Sequence, residues 1–175
     1  MSSENTSKHA QWPAMLGSET PEQQVDALRQ ISGNSEVTGL TLAIVPMAGS
    51  RDDDVRMWAS EVLESSIKPH AGEVDDLIEL MDKNDDGEVC YWAATMLGRL
   101  GEASVAAVPT LVSCMNKSMY LPARERAVWA LAQVGAQAVD AISALRKVSE
   151  TSPPRLQRLA SEAINRILSD DEAAA

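Results

Sequence analysis

A short pattern recurs four times along the chain, with starts 34, 34 and 33 residues apart. The copies begin at Val55, Val89, Ala123 and Leu156 and read VRMWASEVL, VCYWAATML, ARERAVWAL and LQRLASEAI. A fixed period of this length is typical of repeat proteins, in which each unit buries its apolar face against the next unit. The spacing therefore predicts a stack of similar units rather than one irregular globular core.

Each unit is predicted to be a hairpin of two amphipathic helices. The clearest example runs from Gly72 to Gly101, where a short acidic turn separates two segments with apolar residues at three- and four-residue spacing. The apolar stripes consist of Val74, Leu77, Ile78 and Met81 in the first helix and Val89, Ala93, Met96, Leu97 and Leu100 in the second. Two such helices cannot bury both stripes against each other, so the hairpin requires neighbouring hairpins.

One alanine position is common to all copies of the second helix. Four places after each start stands Ala59, Ala93, Ala127 or Ala160, and eight places after it stands Leu63, Leu97, Leu131 or Ile164. A recurring alanine is explained by close helix–helix approach, where a larger side chain would push the layers apart. Leu28, in the segment PEQQVDALRQI, lies 35 residues before Leu63 and marks a diverged copy near the amino end.

The second helix resembles that of the HEAT-repeat family, in particular the short HEAT-like repeats of phycobilisome lyases, which read V-R-x-x-A-A-x-A-L-G before a glycine turn. The matching residues are Val55, Arg56, Ala59, Val62 and Leu63, then Val89, Ala93, Ala94, Met96, Leu97, Gly98 and Gly101, then Arg124, Ala127, Ala130, Leu131 and Gly135. The family's arginine is replaced by Cys90 and Gln157 in the other two copies. The resemblance implies an all-α, right-handed α–α superhelix (solenoid) of about four to five helical hairpins.

The predicted organisation is an amino-terminal arm over residues 1–19, a repeat domain over 20–168 and a loose acidic tail over 169–175. We expect Trp12 and Met15 of the arm to cover the open end of the first helix layer. The predicted helices outside the central hairpin are Pro21–Ile31, Val37–Met47, Val55–Ser66, Ala103–Asn116, Pro122–Val134, Ala138–Ser149 and a last one from Ser152 to about Leu168.

Charge and hydropathy narrow the class of partner. The formal net charge of −11 argues against binding to nucleic acid or to an anionic membrane and favours partners with basic residues. No uninterrupted apolar run reaches the length of a membrane span.

Two cysteines, Cys90 and Cys114, are predicted to be reduced thiols in a compartment such as the cytoplasm. The oligomeric state is left open by the sequence.

The turn of the central hairpin also has the first half of a calcium-binding loop. Asp82, Asn84 and Asp86 stand at the first, third and fifth places and Gly87 at the sixth, as in an EF-hand. The twelfth place, which should supply a bidentate glutamate, is Ala93 of the alanine column. We therefore expect an inter-helix turn with Gly87 in a left-handed conformation, and no metal or cofactor.

Catalytic residues are not evident. HEAT-like di-iron hydroxylases use His-Glu pairs, whereas the two histidines here are followed by alanine, in His9-Ala10 and His70-Ala71. HEAT-like DNA glycosylases need a basic groove, which the net charge opposes. Cys90 is interpreted as a packed thiol, because the nearby Asp86 and Glu88 disfavour a thiolate. The family resemblance leaves one enzymatic alternative: a bilin-lyase-like protein, or another small-ligand-binding protein, that uses the concave groove lined by the second helices.

Several aromatic side chains are predicted to lie on one side of the second helices. At 100° per residue, the core stripe takes places 0, 4, 7 and 8 of each copy, and places 2, 3 and 6 lie at its edge or beyond it. The residues at those places are Met57, Trp58, Tyr91, Trp92 and Trp129, with Glu61, Glu125 and Arg126 as a polar rim. In HEAT-like stacks these helices line the concave surface. The resulting hypothesis is a non-catalytic scaffold that binds a protein or peptide on this surface. We expect Tyr91 and Trp129 to be exposed near Trp92. The alternative for Trp58 and Trp92 is that they cover the edges of helix layers.

Overall fold

The structure is a computed structural model that describes residues 11–34 and 37–174. Within those residues the regular secondary structure is helical, apart from one isolated bridge between Val37 and Ile67. The all-α prediction is confirmed. The chain divides into two compact units, Met1–Lys68 and Pro69–Ala175, and each is described by itself.

The first unit contains four α-helices, and its core lies between the second and the fourth. They are α1 (Trp12–Leu16), α2 (Pro21–Ser32), α3 (Thr41–Ile44, continued by a 3₁₀ helix over Val45–Gly49) and α4 (Asp53–Ser65). Trp12 and Leu16 of α1 are buried against α2, and the Trp12 indole N–H donates to Gln30 Oε1 at 3.4 Å. The first ten residues of the predicted arm lie outside the described residues.

The predicted helix Val37–Met47 is wrong at its amino end. Val37 instead forms a short bridge: its N–H donates to the Ser66 carbonyl at 2.9 Å, and its carbonyl accepts from the Lys68 N–H at the same distance. Gly39 follows with a φ of 77°, a conformation that no regular right-handed helix contains. Helical structure therefore begins only at Thr41.

The second unit consists of three helical hairpins. The first helices are α5 (Val74–Lys83, preceded by a 3₁₀ turn over Ala71–Glu73), α7 (Val108–Lys117) and α9 (Ile142–Thr151), and the second helices are α6 (Gly87–Leu100), α8 (Leu121–Val134) and α10 (Pro154–Ala174). The two helices α7 and α9 each follow a 3₁₀ helix, at Gly101–Ala107 and Gly135–Ala141. The most extensive helix–helix contact of the unit is between α6 and α8.

Two predicted helix starts and one helix end differ from the structure. The segments beginning at Ala103 and Ala138 are 3₁₀ turns, because Gly101 and Gly135 reverse the chain with φ values of 57° and 71°. The Ser104 hydroxyl stabilises the first of these turns, over Gly101–Ala107, by donating to the Leu97 carbonyl at 2.8 Å. The last helix does not end near Leu168 but continues to Ala174 through the acidic residues.

The predicted core stripe is confirmed. Places 0, 4, 7 and 8 are at most 2% exposed in the first three copies, and the alanine column Ala59, Ala93, Ala127 and Ala160 is completely buried. Ile164, at the eighth place of the last copy, is only half-buried, because no described helix follows α10. The alanine column is thus part of the packed core.

The stretch Leu121–Thr151 is long and apolar enough, by length and composition alone, to cross a membrane, with a mean hydropathy of 1.3 over its best window. It comprises α8, a 3₁₀ turn and α9, and the backbone reverses at Gly135. Half of that window is buried inside the structure. Its buried apolar residues belong to the core of the second unit.

Candidate functional site

The second helices of the second unit place an arginine between two aromatic rings. Tyr91 lies on α6, and Arg126 and Trp129 lie on α8. The guanidinium carbon of Arg126 is 4.7 Å from the centre of the Tyr91 ring and 5.1 Å from the centre of the Trp129 ring. Its Nη2 also donates a hydrogen bond to the Tyr91 hydroxyl. We call Tyr91, Arg126 and Trp129 the arginine clamp.

The clamp exists because α6 and α8 lie side by side, in successive repeats. Tyr91 and Arg126 occupy neighbouring places of their copies, two and three residues after the start, so they meet across the interface. Trp129 follows Arg126 by three residues, almost one helical turn, and therefore lies over the same side of α8. All three side chains are half-buried, which corrects the prediction that Tyr91 and Trp129 are exposed.

A glycine of α6 makes room for the Trp129 ring. A Cβ atom built on Gly98 would lie 2.3 Å from Cζ3 of Trp129 and 3.1 Å from the Cα of Ala130. The indole therefore rests directly on the α6 backbone. Truncation of Trp129 would therefore leave a void between the helices.

Trp92 belongs to the core rather than to the surface. It is 6% exposed, and its ring meets Tyr91 edge-on with centroids 5.2 Å apart. This outcome matches the alternative that Trp92 covers a layer edge. Its indole N–H has no hydrogen-bond partner among the described residues, and the same holds for Trp58.

The charged residue next to the clamp on α8 and those at the start of α10 form ion pairs. Glu125 is 13% exposed and pairs with Arg155 of α10, with a distance of 3.2 Å between Oε2 and Nε. Arg158, on the same helix, reaches Glu162 at 3.4 Å. Arg155 and Arg158 were not among the predicted site residues; their signal in the sequence is that they flank Leu156, the start of the fourth copy.

In the first unit, the predicted surface residues lie on α4. Met57 is 54% exposed, Glu61 is exposed, and Trp58 is half-buried. The Arg29 guanidinium carbon lies 5.2 Å from the centre of the Trp58 ring. An arginine over an aromatic ring therefore occurs in each unit, with different residues.

A cleft of about 780 Å³ lies at the turn end of the hairpins, and its lining does not include the clamp residues. Its walls carry four acidic side chains, both cysteines and Tyr120, and the acids are Asp82, Asp85, Asp86 and Glu88. The Tyr120 hydroxyl donates to the Glu88 carboxylate, which raises the pKa of Tyr120 to about 12. The Tyr120 side chain rests on Gly87, where a built Cβ would lie 2.4 Å from the Tyr120 Cβ.

Gly87 is therefore required by packing and not by its backbone angles. The prediction of a left-handed Gly87 is wrong, since the described glycines with positive φ are Gly39, Gly101 and Gly135. Gly87 is instead the first residue of α6, and Asp86 is its N-cap.

The acidic turn caps a helix. The Asp86 carboxylate accepts from the N–H groups of Glu88 and Val89 at 2.9 and 3.1 Å, and Asn84 Oδ1 accepts from the Asp86 N–H at 2.9 Å. These bonds satisfy donors at the start of α6 that have no partner within the helix. Within residues 11–34 and 37–174, no group of three or more His, Cys, Asp or Glu side chains could hold a metal ion.

Neither cysteine has the electrostatic environment of a nucleophile. Burial, and then the charges of Asp86 and Asp85, raise the pKa of the Cys90 thiol. Burial raises the pKa of the Cys114 thiol to about 12. His70 is the N-cap of the 3₁₀ turn over Ala71–Glu73, and its Nδ1 accepts from the Gly72 N–H at 3.0 Å. The described residues of the cleft and the clamp thus show no assembled nucleophile and base.

The family model for HEAT repeats matches residues 41–132, which is more than half of the 175 residues. The chain belongs to the HEAT-repeat family. The model for the PBS lyase HEAT-like repeat matches residues 123–151 of this HEAT-repeat protein. No curated protein matches the sequence.

Among solved structures, this HEAT-repeat protein is similar to a designed armadillo repeat protein in complex with the peptide (KR)4. The TM-score is 0.62 at 16% identity, and the match covers 89% of this chain and 80% of that chain. At this identity the likeness shows the fold, an all-α repeat superhelix.

Proposed function

We propose that this HEAT-repeat protein is a non-catalytic scaffold that binds a segment of a partner protein over the second helices of its repeats. The observation that carries the proposal is the arginine clamp. Tyrosine, tryptophan and arginine are the residues most enriched among binding hot spots. Here all three meet at one half-buried position of the second unit.

Two further observations support a protein or peptide partner with basic residues. The net charge of −11 raises the encounter rate with cationic partners. The designed armadillo repeat protein of similar fold is in complex with a peptide of lysine and arginine. The predicted cytoplasmic location, based on the two cysteines, is part of the same proposal.

The cleft supports a second candidate, a small-ligand-binding or lyase-type protein. Its volume of about 780 Å³ lies in the range that encloses a small molecule. Its walls are acidic, so a ligand that enters it must be neutral or cationic. The raised thiol pKa values oppose a step that needs a cysteine thiolate.

A selection from a random-peptide phage library on the full chain tests the scaffold proposal. Enriched peptides should bind the Arg126→Ala variant about tenfold or more weakly, because the variant removes a hot-spot side chain. Arg146→Ala, at an exposed position of α9, which is the first helix of the last hairpin, is the matched control. It should leave the affinity of the peptides unchanged. Circular dichroism checks that both variants are folded.

Two results contradict the proposal. Either no peptide is enriched, or the enriched peptides bind Arg126→Ala as tightly as the parent chain. Peptides whose binding is weakened by Tyr120→Ala and not by Arg126→Ala would indicate that the cleft, rather than the clamp, is the binding surface.

A further inference from the structure

The charge at the clamp is opposite in sign to the net charge of the chain. Within the described residues, no carboxylate pairs with Arg126, because the neighbouring Glu125 pairs with Arg155 instead. On the adjacent second helix α10, Arg155 and Arg158 are each paired with a glutamate, Glu125 and Glu162. A partner group in contact with Arg126 therefore meets a cation that pairs with no carboxylate of the described residues.

The Arg126 guanidinium is already positioned by contacts with Tyr91 and Trp129. Its carbon lies 4.7 and 5.1 Å from the centres of the Tyr91 and Trp129 rings, and the hydrogen bond to the Tyr91 hydroxyl uses one of its N–H groups. The remaining N–H donors project from the edge of the guanidinium plane, where they match the geometry of a carboxylate. An arginine that is already immobilised loses little side-chain entropy when it binds.

We infer that Arg126 binds a carboxylate, from an aspartate or glutamate of the partner segment that docks on the clamp. The inference rests on the proposed function and names the anchor at that same surface. It is compatible with a partner of basic net charge, because total charge governs long-range encounter and the groups in contact govern the anchor. A lysine or arginine side chain placed against Arg126 would instead meet like charge.

The test is an NMR titration of the isotope-labelled full chain with two octapeptides, one of alternating Asp and Glu and one of alternating Lys and Arg. The chain has four tryptophans, so the Trp129 indole and the Arg126 side-chain signals can be assigned by substitution. At an ionic strength of about 0.15 M, where salt screens the repulsion by the net charge of −11, the acidic peptide should shift both signals in a saturable way. The basic peptide should leave them in place.

The variant Arg126→Lys separates the clamp from charge alone. Lysine keeps the positive charge but lacks the planar edge of donors, so we expect the acidic peptide to bind the variant about tenfold more weakly. Arg146→Lys is the matched control and should bind it like the parent chain. Equal binding by Arg126→Lys and the parent chain would overturn the inference, because it would mean that any cation suffices.

The remaining outcomes also decide the question. If the basic peptide shifts the Arg126 and Trp129 signals and the acidic one does not, the inference is wrong and the proposed function stands. If neither peptide shifts them, the inference is wrong, and the phage selection decides the proposed function independently.

Discussion

At the scale of single residues, two glycines of α6 each lie beneath an aromatic side chain from the next repeat. Gly98 lies under the Trp129 ring, and Gly87 lies under Tyr120, the residue that precedes α8. Any larger residue at either place would displace the ring above it. The family pattern has Leu-Gly at this place, and in this chain the glycine accommodates the Trp129 ring.

The variant Gly98→Ala should destabilise the fold by about 1–3 kcal/mol, as expected when a packed interface is overfilled. The added Cβ would meet Trp129 at 2.3 Å and the Ala130 Cα at 3.1 Å, and a backbone atom moves aside less readily than a side chain. The usual gain in helix propensity, about 1 kcal/mol for Gly to Ala, offsets part of the cost. Urea denaturation followed by circular dichroism measures the change.

The control for that variant is Gly33→Ala, at the C-cap of α2, where an added Cβ meets only the Gln30 carbonyl at 3.6 Å. It should leave the urea midpoint nearly unchanged. A Gly98→Ala protein that is as stable as the parent chain would show that the indole does not rest on the α6 backbone.

Tyr120 provides a test of the Glu88 hydrogen bond through its ionisation. The bond raises the pKa of Tyr120 to about 12, above the value of about 10 for an unfolded chain. Its contribution to stability is therefore complete below pH ~10 and is lost as the pH rises through the folded-state pKa. In a Tyr91→Phe background, the ultraviolet absorbance of the phenolate reports Tyr120 alone, since the chain has two tyrosines.

We expect Glu88→Ala to lower the absorbance midpoint towards the ordinary tyrosine value. Glu102→Ala is the control, because Glu102 is exposed and is not among the groups that shift this pKa. An unchanged midpoint in Glu88→Ala would mean that the two side chains are not bonded in solution.

At the scale of elements, the repeat is built on the contact between successive second helices. Ala93 and Ala127 are both fully buried, and their helices α6 and α8 form the most extensive contact of the second unit. The periodicity of the sequence predicted these second helices well, because the burial of a helix face follows the 3.6-residue turn. It failed at the starts of the first helices, where glycines with positive φ set 3₁₀ turns that no periodicity reveals.

The variant Ala93→Leu should cost about 1–3 kcal/mol or more, because the added atoms have no space between α6 and its neighbours. The urea midpoint measures the loss. Ala106→Leu, at an exposed position of the turn over Gly101–Ala107, is the matched control and should have little effect. A normal midpoint for Ala93→Leu would mean that the alanine column does not mark helix contacts.

At the scale of the whole molecule, charge is expected to act on the rate at which partners arrive. For peptides enriched in the phage selection, the association rate constant should fall as NaCl rises from about 20 to about 200 mM, because salt screens the field of the chain. The triple variant Asp75→Asn, Asp76→Asn and Glu102→Gln changes the net charge from −11 to −8 at exposed positions. It should slow association.

The dissociation rate provides the internal control. It should be unchanged in the triple variant and should rise in Arg126→Lys, because contact groups rather than distant charges hold a bound segment. If the triple variant accelerates association, net charge does not attract the partner, and the expectation of a basic partner fails.

The sequence by itself determined the repeat, the second helices and the identity of the core stripe. These follow from local periodicity, which fixes the side of its own helix on which a residue lies. The exposure of Tyr91, Trp92 and Trp129 depended on the tertiary structure, because exposure is decided by what the neighbouring helix places over that side. The arginine clamp likewise required the structure, since Tyr91 and Arg126 are 35 residues apart and meet only when α6 lies beside α8.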